Sequence, residues 1–275
     1  MKILDGSELV SYIKERQLKQ VRALRMSWRI IPRLAIVRTG ENSVIDVYVR
    51  LKSIYGEDIL VEVDVYNPSD DELINQINLL NNDENVHGII VQLPLSNPDL
   101  TDTAINAITS TKDVDGLGAD SSFTPATATA INWLLAGYNV NLYDKKIAIV
   151  GNGRLVGASL AKLWNNSGLD ISVYDDKTTD LKTALAPAEV IITATGVPGL
   201  IKGDMIRQKA VVVDAGTSSE HGKIIGDLAK DVRNRQDLTI TPEKGGVGSL
   251  TVSALFDNVI IAARKIADKS GQQDT

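Results

Sequence analysis

Residues 146–157 of the chain read KIAIVGNGRLVG, an apolar run that leads directly into a turn containing three glycines. The apolar run has the composition of a buried strand, and a helical pattern, residues 158–164, follows the turn. This order is typical of a dinucleotide-binding βαβ unit, because glycines let a pyrophosphate approach the backbone and amides at the helix N-terminus bind its charge. The stretch predicts a parallel, doubly wound sheet.

Within this unit we expect Gly151, Asn152 and Gly153 to contact a nicotinamide dinucleotide, together with Thr195 and Gly196 after a later strand. The glycine spacing is one residue longer than in the commonest fingerprint, so the motif alone is a weak signal. A tight strand-to-helix turn that needs glycine for a positive φ and binds nothing would explain the same residues.

The strand after the turn ends at Asp175 and Asp176, where a carboxylate can accept hydrogen bonds from an adenosine ribose. A carboxylate would also repel a 2′-phosphate, so the sequence favours NAD over NADP. NADP remains possible, because Arg154 and Lys177 are nearby cations. An acidic turn exposed to water is the alternative interpretation.

From Arg33 onward, apolar runs alternate with helical patterns, which predicts two α/β domains, the second a Rossmann-type doubly wound parallel sheet. Strands are expected at 34–37, 59–63, 88–93, 146–150, 171–174, 190–194, 211–214 and 238–241. A final helical pattern, about residues 247–267, is expected to return to the first domain. We therefore assign residues 1–120 and 247–275 to the first domain and 121–246 to the second.

Composition excludes several classes of protein. The chain has 275 residues, 43% of them hydrophobic, and no cysteine, so it has enough apolar residues for a core but no disulfide, thiolate nucleophile or cysteine metal site. Its net charge of −6 argues against nucleic acid or an anionic membrane as partner. No signal peptide, transmembrane pattern or metal-ligand spacing is visible, so we expect a cytoplasmic protein without a metal.

Four side chains of the first domain are candidates for chemistry. Tyr48 and Lys52 are four residues apart in a helical pattern and project from one face, and Gln92 closes a strand where open α/β sheets bind their ligands. Asp115 belongs to a turn, residues 112–116, that could be no more than an Asx turn. The alternatives are a tyrosine covering a lysine stem and a glutamine that is merely a satisfied polar group.

The two histidines, His87 and His221, have no visible partner, and neither is a strong catalytic candidate.

Taken together, six segments resemble the bifunctional methylenetetrahydrofolate dehydrogenase/cyclohydrolase family. They are KILDG (2–6), YVRLK (48–52), VHGIIVQLPL (86–95), KDVDG (112–116), KGDMI (202–206) and GGVG (245–248). They occur in family order over nearly the whole chain, which makes the set far more specific than any one motif.

The resemblance implies that Lys52 is the central catalytic group, that Tyr48 lies beside it, that Gln92 tunes it and that Asp115 holds the pterin. It implies a folate substrate bound in a cleft between the domains, with Gly246 and Gly248 also contacting it, and a homodimer. The first domain would then be the folate-binding, catalytic one, and the second would bind the dinucleotide. The implied reactions are oxidation of 5,10-methylene-tetrahydrofolate to the methenyl form and hydrolysis to 10-formyl-tetrahydrofolate.

The chain departs from the family pattern at several positions. The serine usually found three residues before the tyrosine is Ile45; Asn152-Gly153 stands for Arg-Ser, and Asp175-Asp176 for His-Ser. The last two changes weaken recognition of a 2′-phosphate. Two alternatives therefore remain: a catalytically silent folate-binding or regulatory protein, and another two-domain dehydrogenase of the shikimate or amino-acid type.

Overall fold

The computed structural model of the chain describes residues 1–41, 43–220 and 223–273, so His221 lies outside the described residues. The chain divides into two compact units. We name them by their sheets: the three-stranded unit comprises residues 11–126 and 252–275, and the six-stranded unit comprises residues 1–10 and 127–251. The expected fold class of two α/β domains is confirmed.

Strands and helices alternate along most of the chain. The strands are β1 (Lys2–Ile3), β2 (Arg33–Val37), β3 (Glu62–Tyr66), β4 (Gly88–Val91), β5 (Ile147–Val150), β6 (Ile171–Tyr174), β7 (Val190–Thr193), β8 (Val211–Asp214), β9 (Ser218–Glu220), β10 (Lys223–Ile225) and β11 (Thr239–Ile240). The helices are α1 (Gly6–Ser27), α2 (Ser43–Asp58), α3 (Leu73–Asn82), α4 (Thr101–Ala107), α5 (Ala126–Gly137), α6 (Gly157–Asn166), α7 (Leu181–Leu185), α8 (Lys230–Arg233) and α9 (Val247–Gln273). Short 3₁₀ turns span Pro98–Leu100 and Gly203–Met205.

The three-stranded unit contains a parallel sheet in the order β3-β2-β4. Strand β4 is buried along its whole length, as expected for a parallel strand covered on both faces. Residues of α3 and α4, among them Leu73, Ile77 and Ile105, pack against one face of the sheet. The rings of Tyr55 on α2 and Phe256 on α9 stack with centroids 5.1 Å apart.

Helix α9 returns to the first domain, as the sequence predicts. The buried Asn258 donates from Nδ2 to the carbonyl oxygens of Val114 (2.8 Å) and Thr124 (3.1 Å). The helix is long and apolar enough over Val247–Lys269 to cross a membrane by length and composition, but 61% of the apolar window is buried in the structure. This burial is typical of a core helix in a globular protein.

The six-stranded unit contains a sheet in the order β1-β11-β8-β7-β5-β6. All of its neighbouring strands pair in parallel. From β5 the chain passes to β6 on one side, whereas β7 lies on the other side of β5. The carboxyl ends of β5 and β7 therefore mark the point where strand order reverses, which is where doubly wound sheets bind their ligands. A separate antiparallel pair, β9 and β10, follows β8.

The grouping of residues 1–10 differs from the sequence assignment. Strand β1 pairs with β11, because Lys2 N donates to the Leu238 carbonyl (2.9 Å) and Leu4 N to the Ile240 carbonyl (2.8 Å). The first residues consequently belong to the six-stranded unit, and the boundaries fall after residues 126 and 251 instead of 120 and 246. A strand of two residues has too little periodicity to be assigned from sequence.

Strand β3 begins three residues later than predicted. Helix α2 ends in a Schellman motif, in which Leu60 N donates to the Glu57 carbonyl (3.1 Å) and Val61 N to the Gly56 carbonyl (2.8 Å). Leu60 has a left-handed φ of 64°. Because a leucine occupies the position where glycine is usual, the apolar run 59–63 resembled a strand although its first half closes a helix.

Lys112 caps helix α3: its Nζ donates to the carbonyl oxygens of Leu80 (3.0 Å), Asn81 (2.8 Å) and Asp83 (2.7 Å). We expect Lys112→Met to lower the free energy of unfolding in urea by about 1.5–3 kcal/mol, because three carbonyls lose a charged donor. Lys182→Met, which breaks a surface ion pair with Asp204, is the matched control and should unfold close to wild type. Equal midpoints for the two variants would contradict the capping role.

Candidate functional site

At the carboxyl edge of the three-stranded sheet, an amine and an amide form a short hydrogen bond. Lys52 projects from α2, and its Nζ donates to Oε1 of Gln92 at 2.6 Å. Gln92 follows β4, and its Nε2 donates to the Leu93 carbonyl at 3.1 Å. Since the amide nitrogen is held by the backbone, the amide oxygen is directed at the amine. Lys52 and Gln92 are thus brought together from positions 40 residues apart.

We call Tyr48, Lys52, Gln92 and Asp115 the lysine cluster, in which Asp115 interacts with Lys52 through its charge and Tyr48 shares helix α2 with the lysine. Burial lowers the pKa of Lys52, and the charge of Asp115 acts in the opposite direction. Burial also raises the pKa of Asp115, which the charge of Lys52 counteracts, and it raises the pKa of Tyr48, one helical turn before the lysine. Withdrawal from water brings the acidities of the amine and the carboxyl closer together than in water. Shifts of this kind, in which burial and a partner charge oppose each other, are typical of groups that transfer protons.

The turn that carries Asp115 is shaped by its neighbour. Asp113 is buried and accepts hydrogen bonds from the backbone N–H of Gly116 (3.2 Å) and Gly118 (2.8 Å). The Asx-turn interpretation thus applies to Asp113, whereas the charge of Asp115 interacts with that of Lys52. Asn258 fixes the Val114 carbonyl from α9, 144 residues away, a contribution that sequence reasoning missed because nothing local marks it.

His87 lies outside the lysine cluster. It precedes β4, whereas Gln92 follows the same strand, so the two side chains belong to opposite ends of it. Its Nδ1 accepts a hydrogen bond from the backbone N–H of Arg33 at 3.2 Å. Burial, reinforced by the charge of Lys112, lowers its pKa to about 4. The geometry is that of a satisfied core histidine.

In the six-stranded unit, the glycine-rich turn leaves β5 at the switch point of the sheet. Gly151 has a φ of +98°, and a Cβ there would lie 2.4 Å from the Ala194 carbonyl oxygen. A Cβ on Gly157 would lie 1.8 Å from the carbonyl oxygen of Gly151. Both positions therefore require glycine, because backbone carbonyl groups lie too close to leave room for a side chain.

Gly153 is different. A Cβ there would have no described atom within 4 Å, and its φ is not in the left-handed region. The turn itself does not need this glycine, whereas a pyrophosphate approaching the backbone would. Asn152 and Gly153 are exposed just before α6, whose N-terminal amides can stabilise an anion. These residues fit a dinucleotide.

The other cofactor candidates lie on neighbouring strand ends. Asp175 and Asp176 follow β6 and are exposed, and Oδ1 of Asp175 accepts from the Lys177 N–H at 3.0 Å in a turn. Thr195 follows β7, where its side chain is 3.2 Å from a Cβ built on Gly151. Gly196, with a φ of +68°, comes next. The structure thus brings the turns after β5 and β7 into contact.

Gly246 and Gly248, the remaining candidates for substrate binding, lie at the start of α9. Gly246 and Gly248 belong to the six-stranded unit, whereas the lysine cluster belongs to the three-stranded unit. Gly246 is held close to the start of α1, because a Cβ on Gly6 would lie 2.2 Å from its carbonyl oxygen. Their contact with substrate remains a prediction. In the described ranges of the chain, no group of three His, Asp or Glu side chains could hold a metal ion.

Comparison with family models assigns both parts of the chain. Residues 4–115 match the tetrahydrofolate dehydrogenase/cyclohydrolase catalytic domain, and residues 125–267 match the NAD(P)-binding domain of the same family. The chain is 36% identical to the bifunctional protein FolD of Campylobacter jejuni, over 96% of this chain and 99% of that protein.

Solved structures agree with these matches. The crystal structure of the bifunctional methylenetetrahydrofolate dehydrogenase/cyclohydrolase from Campylobacter jejuni is similar, with a TM-score of 0.90 and 34% identity over 96% of this chain and 99% of the other. The enzyme of Trypanosoma brucei, solved with NADP and an inhibitor, has a TM-score of 0.89 and 27% identity, over 96% of this chain and 97% of the other.

The burial of His87 should make the stability of the folded chain depend on pH. The pKa of His87 is about 4 in the folded chain and 6.5 ordinarily. As the pH falls, the imidazole is therefore protonated in the unfolded chain at a higher pH than in the folded chain. The free energy of unfolding should consequently decrease as the pH drops from about 6.5 toward 4. In His87→Gln this part of the decline should disappear, while turnover at pH 7.5 stays within about threefold of wild type.

An NMR titration measures this directly, since the chain has only two histidines. A midpoint near 6.5 for the resonance that is lost in His87→Gln, or loss of activity in that variant without loss of folding, would contradict the structural role.

Proposed function

The chain belongs to the tetrahydrofolate dehydrogenase/cyclohydrolase family, and on that basis we propose how its residues divide the two reactions. It oxidises 5,10-methylene-tetrahydrofolate to the methenyl compound and hydrolyses this to 10-formyl-tetrahydrofolate, as part of one-carbon folate metabolism. The observation that carries the assignment of roles is the hydrogen bond between Lys52 Nζ and Gln92 Oε1, next to the charge of Asp115.

Lys52 manages protons in the hydrolytic step. Burial lowers the pKa of Lys52 and so favours the neutral amine, the form that can take a proton from the water that adds to the methenyl carbon. The ammonium formed can return a proton to the ring nitrogen that leaves as the ring opens. A cationic methenyl-folate disfavours the ammonium further, so substrate binding itself promotes the basic form.

Gln92, Tyr48 and Asp115 support the lysine. Gln92 fixes the direction of Nζ through its amide oxygen, and Tyr48 adds a phenol on the same helix face. Asp115 holds the pterin by accepting hydrogen bonds from its N–H groups, an interaction that is strongest when the carboxyl is ionised. We also assign Gly246 and Gly248 to substrate binding, where the lack of side chains leaves room for it.

The dinucleotide site is built by the six-stranded unit. Gly151, Asn152 and Gly153, with the N-terminus of α6, hold the pyrophosphate, and Thr195 and Gly196 contact the cofactor at the neighbouring strand end. A nicotinamide held there would supply the acceptor for the hydride of the methylene carbon. The contribution of the chain to this step is alignment of the two reactants.

We propose that NAD is preferred over NADP. The support is electrostatic: Asp175 and Asp176 are exposed carboxylates at the end of β6, and Asn152-Gly153 supplies no cation where the family has an arginine. Ribose hydroxyls can donate to a carboxylate, whereas a 2′-phosphate is repelled by it.

Family membership also supports a cytoplasmic homodimer. Sedimentation equilibrium tests the oligomeric state, and the expected mass is twice the 29.7 kDa of one chain. Sedimentation at the mass of a single chain would contradict it.

Replacing Lys52 tests the catalytic assignment. Lys52→Met should lower the rate of methenyl-tetrahydrofolate hydrolysis by at least about a hundredfold, the usual contribution of a general acid-base group. Absorbance of the methenyl compound reports this step, and reduction of the nicotinamide reports the other. Lys19→Met, which removes an exposed lysine paired with Glu15, is the control and should match wild type. If Lys52→Met retains both activities near the wild-type level, the assignment of Lys52 is wrong.

Steady-state kinetics with each nicotinamide tests the cofactor assignment. The kcat/KM with NAD should exceed that with NADP, and Asp175→Asn should reduce the ratio by about tenfold, because the amide still accepts from Lys177 N but no longer repels a phosphate. Asp170→Asn removes the same charge just before β6 and should leave the ratio unchanged. A wild-type enzyme that prefers NADP would overturn the assignment.

A further inference from the structure

A buried carboxylate that the proposed mechanism does not use lies beside the dinucleotide segment of the six-stranded unit. Asp227 is fully buried. Its Oδ2 accepts two hydrogen bonds, from Oγ1 of Thr193 at 2.6 Å and from the backbone N–H of Thr195 at 2.7 Å. Thr193 is the last residue of β7 and Thr195 follows it, so one oxygen atom fixes the end of the strand and the first residues after it.

These hydrogen bonds lie where the hydrogen bonding between β7 and β5 ends. Ala194 N still donates to the Val150 carbonyl at 2.8 Å, a continuation of the pairing between β7 and β5. The next residue, Thr195, donates its backbone N–H to Asp227. The chain then turns through Gly196, which has a φ of +68°, and Val197 N donates to Oγ1 of Thr195 at 3.1 Å. The direction in which the segment leaves the sheet is therefore set by Asp227.

The arrangement is costly for folding. Oδ1 of Asp227 is buried without a hydrogen-bond donor among the described residues. A second carboxylate lies next to it, since Asp227 N donates to Oδ1 of Asp214 at 3.0 Å, and a cation, Arg233, lies 3.2 Å from that carboxyl group. The carboxyl group of Asp227 fits only because residue 216 is glycine, since a Cβ on Gly216 would lie 2.0 Å from Oδ1 of Asp227. A buried, half-satisfied carboxylate requires an explanation other than stability.

We propose that Asp227 is a positioning residue of the dinucleotide site, which holds Thr195 and Gly196 in the conformation that binds the nicotinamide cofactor. This inference rests on the proposed function, because it assumes that these two residues contact the cofactor. Asp227 acts only through Thr193 and Thr195 and touches no reacting atom. Its loss should weaken dinucleotide binding and leave intact the hydrolytic reaction, which consumes no dinucleotide.

The test separates the two activities in one protein sample. Asp227→Ala removes the acceptor for both donors and should raise the KM for the preferred dinucleotide at least tenfold, with a matching rise in the Kd by calorimetry. Hydrolysis of methenyl-tetrahydrofolate should stay within twofold of wild type. Asp227→Asn keeps an oxygen acceptor, so its KM should lie within about threefold of wild type, which is rescue by the conservative variant.

A matched control is Asp231→Ala, which removes a carboxylate that accepts from the backbone N–H of Gly203 at 2.9 Å in the same unit. Its KM for the dinucleotide should not change. The proposal is overturned if Asp227→Ala leaves that KM unchanged, lowers both activities in parallel, or behaves like Asp231→Ala. A wild-type protein that turns over neither folate substrate would instead refute the proposed function.

Discussion

The mechanism that we propose depends on one amine kept largely out of water. Desolvation disfavours the ammonium form of Lys52, while Gln92 Oε1 and the charge of Asp115 stabilise it. Full burial without these partners would favour the neutral amine, whereas full exposure would leave the side chain protonated at neutral pH. In the proposed mechanism this balance lets the amine both accept and donate a proton, as the hydrolytic half of the reaction requires.

Both units use the same property of parallel sheets. Strand ends on the carboxyl edge place side chains and turns from separate parts of the chain next to one another. In the three-stranded unit this edge brings Gln92 to Lys52. In the six-stranded unit it brings the turn at Gly151 against Ala194 and Thr195. The rigid, buried strands thus determine where polar groups meet, and the candidate functional groups lie on the turns that follow them and on α2.

The long apolar runs predicted most strands correctly, because buried parallel strands leave an uninterrupted apolar signal. The glycine turn was also recognisable, since its spacing reflects local backbone geometry. Three features that depend on distant partners are not recognisable from sequence. They are the pairing of β1 with β11, the hydrogen bond from Asn258 to the Val114 carbonyl and the hydrogen bond from Thr195 N to Asp227. The apolar run 59–63 predicts a strand three residues too early, because Leu60 takes a conformation that is usual for glycine. Sequence patterns report local periodicity, whereas these contacts are decided by tertiary packing.

The most direct test of the account is the titration of the Lys52 amine itself. NMR of ¹⁵N-labelled lysine side chains, with the Lys52 resonance identified by its loss in Lys52→Arg, measures the pKa in the folded protein. The account predicts a midpoint below the ordinary 10.5, since burial outweighs the opposing charge of Asp115. A midpoint at or above 10.5 would show that the amine is solvated or fully ion-paired, and would contradict the proposed role of Lys52 in proton transfer.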